Sequence, residues 1–253
     1  MQQTLPPPSQ PEPENKCLGC LFMKLEGIPV QPEHQGSFHL QPNSTAKQQI
    51  NLYLTLLFNE QRALLIDGRI KFGLKGGKLK LKLSNGEILW ESSKLAGLVE
   101  LSIEKQSQQP QDIEYQSDTN AALTKSKPVV KVNSGTNQTA GKTETFQLSV
   151  CQVTLHGSQE NPAWIFAVER GEPVLKGLLK SVLLATLNVT EKPCCVEATF
   201  EVSPRDVYMT EAEGLWPKNI SKKRSAVIER AIARRFLERK LQPYLSRHQL
   251  RYD

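Results

Sequence analysis

Cys17-Leu-Gly-Cys20 has the two-residue spacing used by redox-active thiol pairs and by half of a zinc site. A closed zinc shell needs a second pair. Cys194 and Cys195 do not supply one, because adjacent residues of a strand point to opposite faces. Cys151 stands alone. An odd total of five cysteines, with no positive leader followed by an apolar run, implies reduced thiols and a cytoplasmic setting. A second motif comes close to a phosphate-binding loop. Val129–Val132 reads as a strand, and Gly135 is followed, after five intervening residues, by Gly141-Lys142-Thr143. That is one residue too many, and the loop runs into an alternating strand rather than into a helix whose amides could face phosphate. The four histidines, His34, His39, His156 and His248, show no paired ligand spacing, and no nucleophile elbow occurs. Asp206, Glu211 and Glu213 could form a carboxylate pair, although acids in such a segment more often shape turns and helix starts. The expectation is therefore no catalytic residues, no metal and no cofactor.

Charge carries more information than any of these motifs. Residues 218–251 hold eleven Lys and Arg against Glu229 and Glu238, a local +9 in a chain whose total is +6. The rest of the chain is thus slightly acidic, and the positive field is focused at one end. At about 100° per residue, Ile228, Ile232, Ala233, Phe236 and Leu237 share one side of a helix. Lys223, Arg224, Arg230, Arg234 and Arg235 fall on the opposite arc. Asn219-Ile220-Ser221 offers a helix start and Pro243 a stop. A second basic set is Lys71, Lys75, Lys78 and Lys82. These nine cations are the candidate contacts for a polyanion or an acidic partner. Lysine also guards strand edges, and arginine stems also cover cores, so a solvated face remains the competing explanation. Aromatic residues for stacking on bases are missing from the helix's basic arc.

The elements that would position these residues are mostly strands. Residues 1–16 are rich in proline and lack aromatic residues, which implies a disordered tail. Residues 106–143 form a polar stretch, a linker or long loop between two β units at 17–105 and 144–217. In the first unit, Gly76-Gly77 between Arg69–Lys75 and Lys78–Leu83 suggests a tight hairpin, which would pair Leu74 with Leu79 and Phe72 with Leu81. Asn85-Gly86 suggests a second turn, bringing Leu81 to Trp90 and Lys80 to Glu91. In the second unit, Phe146–Leu155, Trp164–Val168, Leu183–Val189 and Val196–Val202 read as strands. Aligning Gly86-Glu87 with Gly171-Glu172, with Pro173 as an insertion, brings Leu89, Leu98 and Leu101 onto Leu175, Leu184 and Leu187. An internal duplication and a chance match among leucine-rich strands both fit.

Ala198–Pro217, Arg224–Arg230 and Tyr244–Arg247 resemble the C-terminal part of an uncharacterised bacterial family of cyanobacterial type. The resemblance is clearest over residues 198–253. It implies a cytoplasmic context and brings no activity with it.

The sequence thus points to a mainly β protein of antiparallel, sandwich-like halves closed by one amphipathic C-terminal helix. No run of apolar residues is long enough for a membrane-spanning helix. The function that follows is a non-catalytic binding or scaffold protein acting on another macromolecule. A protein is the first partner and nucleic acid the alternative, with the basic helix as its site. Oligomeric state is left open.

Overall fold

In the computed structural model of the chain, the described residues are 11–30, 48–65, 68–103, 147–169, 172–214, 220–232 and 238–253. The protein is mainly β and all strand pairings are antiparallel, as the sequence implied.

The strands are β1 (Glu14–Asn15), β2 (Leu21–Pro29), β3 (Gln49–Phe58), β4 (Gln61–Leu65), β5 (Gly68–Leu74), β6 (Gly76–Ser84) and β7 (Gly86–Ile88). After a short 3-10 turn at Trp90–Ser92 come β8 (Gly97–Ile103), β9 (Gln147–Gly157), β10 (Pro162–Val168), β11 (Gly177–Val189), β12 (Cys194–Glu201) and β13 (Val207–Glu213). The helical region holds α1 (Lys222–Ile232) and α2 (Glu238–Leu241), and β14 (Ser246–Tyr252) ends the chain.

One large sheet runs β1-β14-β12-β6-β10-β9-β8-β11-β3-β2, with β7 also on β11, and a small sheet runs β13-β5-β4. Strands from both sequence halves interleave in the large sheet. β8 pairs with β9, Ile103 opposite Gln147, so the intervening polar stretch joins two hydrogen-bonded neighbours. That stretch, with the Gly135–Thr143 motif, lies outside the described residues. Glu14–Asn15, placed in a disordered tail by composition, form β1 against β14.

The large sheet curls until its end strands meet. Alternation drives this: Leu21, Met23 and Leu25 of β2, every second residue of β3 from Ile50 to Phe58, and Val196, Ala198 and Phe200 of β12 all turn inward and are buried. At the centre the rings of Phe58, Phe166 and Phe200 lie with centroids 5.7–6.0 Å apart, beside fully buried Trp164. The seam between β2 and β14 is closed by side chains. The Met23 amide donates to Asn15 Oδ1 at 2.9 Å, and the Leu25 amide donates to His248 Nδ1 at 3.0 Å. The other ring nitrogen of His248 lies 2.8 Å from the Pro11 carbonyl, which fixes the neutral tautomer with Nε2 as donor. Farther along, the Tyr252 hydroxyl sits over Gly27, where a Cβ would collide with it.

The Gly76-Gly77 hairpin does not form. β5 and β6 belong to different sheets, and Lys75 is the corner at which the chain changes sheet. Its amide donates to the Asp206 carbonyl at 2.6 Å, and its carbonyl accepts from the Val168 amide at 2.8 Å. The two glycines serve close approach rather than a positive-φ turn. A Cβ on Gly77 would lie 2.2 Å from the Phe200 ring, and one on Gly76 would lie 2.5 Å from the Phe166 carbonyl. Leu81 is buried as expected, but opposite Ala198 of β12 rather than against Phe72 and Trp90. Asn85 does adopt positive φ, at 59°, yet β7 leaves that turn to pair with β11. The segments aligned as a duplication also differ. Leu98 is exposed while Leu184 is buried, and residues 177–189 form one strand where the aligned residues 91–103 hold the end of a 3-10 turn, a connection and the strand β8.

Candidate partner-binding surfaces

The packed interior directs attention to the outer surfaces, and the sequence-selected cations divide among three of them. On α1, the Ser221 hydroxyl accepts from the Arg224 amide at 3.4 Å, a weak cap. Ile232 is buried and Ile228 packs partly against the core, so these two residues of the expected apolar face turn inward, while Ala233, Phe236 and Leu237 fall outside the described residues. Lys223 and Arg224 are exposed at the other side of the first turn, which contains no acid. Arg230 lies within α1, while Arg234 and Arg235 fall outside the described residues.

The lysines read from the sequence as one set are dispersed by the sheet change at Lys75. Lys71 belongs to the small sheet, where Nζ meets Glu211 at 3.0 Å and Glu60 at 3.6 Å. Its pKa is raised, first through the hydrogen bond with Glu211 and further by the nearby carboxylates. Lys75 lies over the Tyr208 ring, 4.3 Å from its centroid. Only Lys78 and Lys82 share a face, the outer side of β6, together with Lys80. The neighbouring β12 meets that row with acids: Lys78 is opposite Glu201 and Lys82 opposite Glu197. Lys80 pairs with Glu201 at 2.6 Å, not with Glu91, and Arg247 of β14 pairs with Glu197 at 2.8 Å. Basic, acidic and basic strands therefore alternate across this face, and its field is largely self-cancelling.

The carboxylates marked for acid–base work are also engaged structurally. Asp206 Oδ2 accepts from the Ser203 amide at 3.2 Å and closes a turn. Glu211 and Glu213 of β13 pair with Lys71 and Arg69, the latter at 2.7 Å. The acid that sequence reasoning missed is Glu60, whose side chain is only 6% exposed. It accepts from Thr210 Oγ1 at 2.6 Å and pairs with both Lys71 and Lys176. Burial pushes its pKa up, but the hydrogen bonds from Lys176 and Thr210 and the two cations outweigh burial and hold it below the ordinary value. Glu60 thus ties the end of β3 to both the small sheet and the approach to β11.

Cys17 and Cys20 are joined as a disulfide, contrary to the expectation of free thiols. A tight turn brings them together: the amides of Cys20 and Leu21 both donate to the Cys17 carbonyl at 2.9 Å. Cys151 and Cys194 are buried free thiols, and burial pushes Cys151 up to about 11, far from a reactive thiolate. Among the described residues, no group of three His, Cys, Asp or Glu side chains comes together as a metal site. No helix among them is long and apolar enough to cross a membrane.

No known protein-family profile matches the chain, and no curated protein matches it.

Proposed function

We propose that this is a non-catalytic binding or scaffold protein that engages an acidic surface of another protein through the first turn of α1. The observation that carries the reading is an electrostatic cost. A helix N-terminus already presents positive potential and is stabilised by acids, at roughly 0.3–1 kcal/mol each. Here the first turn is Lys222, Lys223 and Arg224 with no acid, and Lys223 and Arg224 are exposed. Cations at that position disfavour the helix, so their presence is better explained by what they attract than by stability. The packed barrel interior supports an outer-surface role as well, because the Phe58, Phe166 and Phe200 rings occupy its centre.

Nucleic acid is the second reading, favoured by the +9 of residues 218–251. Both readings are tested by reversing Lys223 and Arg224 to glutamate in the full chain. Capture from a lysate of the native host, with proteins and nucleic acids identified, should lose an acidic protein partner in the variant. Gel shifts of a random duplex at two salt concentrations provide the other arm. Weak binding of about 10⁻⁴ M or poorer at both agrees with a protein partner. Tight binding that falls steeply with salt and is lost in the variant would assign the helix to nucleic acid instead. If capture is identical for the parent and the variant, the first turn of α1 is a solvated face and the reading fails.

A further inference from the structure

We infer that β4 is a docking edge that accepts an extended acidic segment of a partner protein as a fourth strand of the small sheet. The inference deepens the protein-partner reading and rests on it for the class of partner, but it concerns a surface other than α1. β4 is the end strand of the order β13-β5-β4, and among the described residues it pairs with β5 alone. A strand edge is a row of main-chain donors and acceptors able to receive another strand. Protected edges are very short, or carry charges (above all lysine), proline or a bulge; β4 has five residues, and its one charge is Arg62. Gln61-Arg62-Ala63-Leu64-Leu65 has neither proline nor an inward charge, and Leu64 is 81% exposed.

The register specifies what should lie beside it. On the outer face one row reads Glu211, Lys71, Arg62 across β13, β5 and β4, and the next reads Glu213, Arg69, Leu64. Both acids are taken up by β5, through the Lys71–Glu211 pair at 3.0 Å and the Arg69–Glu213 pair at 2.7 Å. Arg62 is left exposed directly opposite Lys71, with no acidic partner among the described residues. Like charges in opposite positions are unfavourable, and an acid on the open side of Arg62 would complete an alternating row. The neighbouring row asks for an apolar side chain beside Leu64. A strand with an acid and an apolar residue two positions apart meets both requirements. A groove of about 340 Å³ across this face, lined by Arg62, Leu64, Arg69, Lys71, Glu211 and Glu213, leaves room for those side chains. A second copy of the chain fits less well. Antiparallel self-pairing about Ala63 sets Arg62 against Leu64 and brings no acid to either arginine.

The test uses the full chain and a fluorescein-labelled peptide of about eight residues with glutamate and valine in turn at every second position and threonine between them, followed by fluorescence anisotropy. Two companion peptides are the same sequence N-methylated at alternate amides and a version with lysine in place of glutamate. The expected result is saturable binding of the glutamate peptide, abolished by N-methylation. Arg62→Glu should weaken it by roughly tenfold or more and transfer preference to the lysine peptide. Because Arg62 is exposed and glutamate there faces Lys71, the melting temperature should not fall. Equal binding of the N-methylated peptide, indifference to Arg62→Glu, or no saturation up to about 1 mM would each overturn the inference. A dimer in solution that Leu64→Glu converts to monomer would place a second copy on the edge and overturn it as well. The Lys223 and Arg224 reversal should leave peptide binding intact, so failure here and failure of the helix site are distinguishable.

Discussion

Replacing Glu60 with glutamine keeps the shape of the side chain and removes its charge at a point where three elements meet. The carboxylate is 6% exposed and serves Thr210, Lys71 and Lys176 together. Breaking an isolated buried ion pair costs about 3–5 kcal/mol, because the surviving charge is left uncompensated. Two features lower that figure here. Lys71 keeps Glu211 at 3.0 Å, and the Lys176 side chain is 41% exposed, so water can replace much of what it loses. The hydrogen bond from Thr210 can be retained by the amide oxygen. What remains is one charge-assisted hydrogen bond and part of the ion-pair energy, about 2 kcal/mol in total. For a chain of this size that corresponds to a melting point lower by about 4–8 °C. The pH dependence supplies a second, independent check. Glu60 is held below the ordinary carboxyl value of 4.5, so its contribution is complete above that value and is lost as the pH falls through the lowered one. Urea unfolding followed by tryptophan fluorescence should show the gap between parent and Glu60→Gln at pH 7 and its shrinkage toward pH 3. A variant within about 0.5 kcal/mol of the parent at pH 7 would refute the hub, since that is the range of an ordinary surface change. A gap of the same size at both pH values would show that the variant acts through packing rather than charge.

Gly77→Ala should destabilise by about 1–3 kcal/mol in the same urea assay, because the new methyl would lie 2.2 Å from the Phe200 ring in a filled core. A silent substitution would mean that the ring does not pack over that strand. His248→Ala removes the acceptor for the Leu25 amide, while the Met23 amide keeps Asn15. Hydrogen exchange should therefore accelerate by roughly tenfold or more at Leu25, in line with a buried donor left unpaired, and less at Met23. Equal acceleration at both amides would show a loss of global stability rather than an opened seam.

Where a strand is half-buried, its inward residues could be read directly. The alternation of Val196, Ala198 and Phe200 with Cys195, Glu197 and Thr199 marks β12, and all three of the first set are buried. Strand partners could not be read in this way. β6 lies between β10 and β12, both more than 75 residues away in sequence, and no local pattern encodes such a distance. Gly76-Gly77 misled for a physical reason. A glycine pair signals either positive φ or a backbone that another group must approach closely, and the sequence alone does not separate the two. The same error assembled Lys71, Lys75, Lys78 and Lys82 into one basic set, which the change of sheet then separates. Glu60 was missed because its partners come from β5, β13 and the approach to β11. The seam did leave a trace: Ser246 and His248 stand at inward positions of a strand whose next inward residue is Leu250. Polar residues on a buried face need partners, and that requirement points to a role in closure.

The two sheets treat their edges differently, and the difference is what gives β4 its interest. An unprotected edge is a hazard, so its presence calls for a physical reason. At the large sheet the edge of β2 is occupied point by point. Asn15 takes the Met23 amide, His248 takes the Leu25 amide, and Tyr252 covers Gly27, so every second residue is met from across the seam. Such a seam demands particular side chains at fixed register, and a barrel closed in this way leaves its interior to packing alone. The small sheet could have been finished with a lysine or proline on β4 at no cost to its core, because Arg62 and Leu64 face outward. Instead it ends in an exposed leucine beside an arginine placed opposite Lys71, an arrangement that is unfavourable in isolation. An added strand bearing an acid reverses the sign of that interaction. A position that is unfavourable when bare therefore gains from a partner, which is the energetic profile of a binding edge rather than of a finished one.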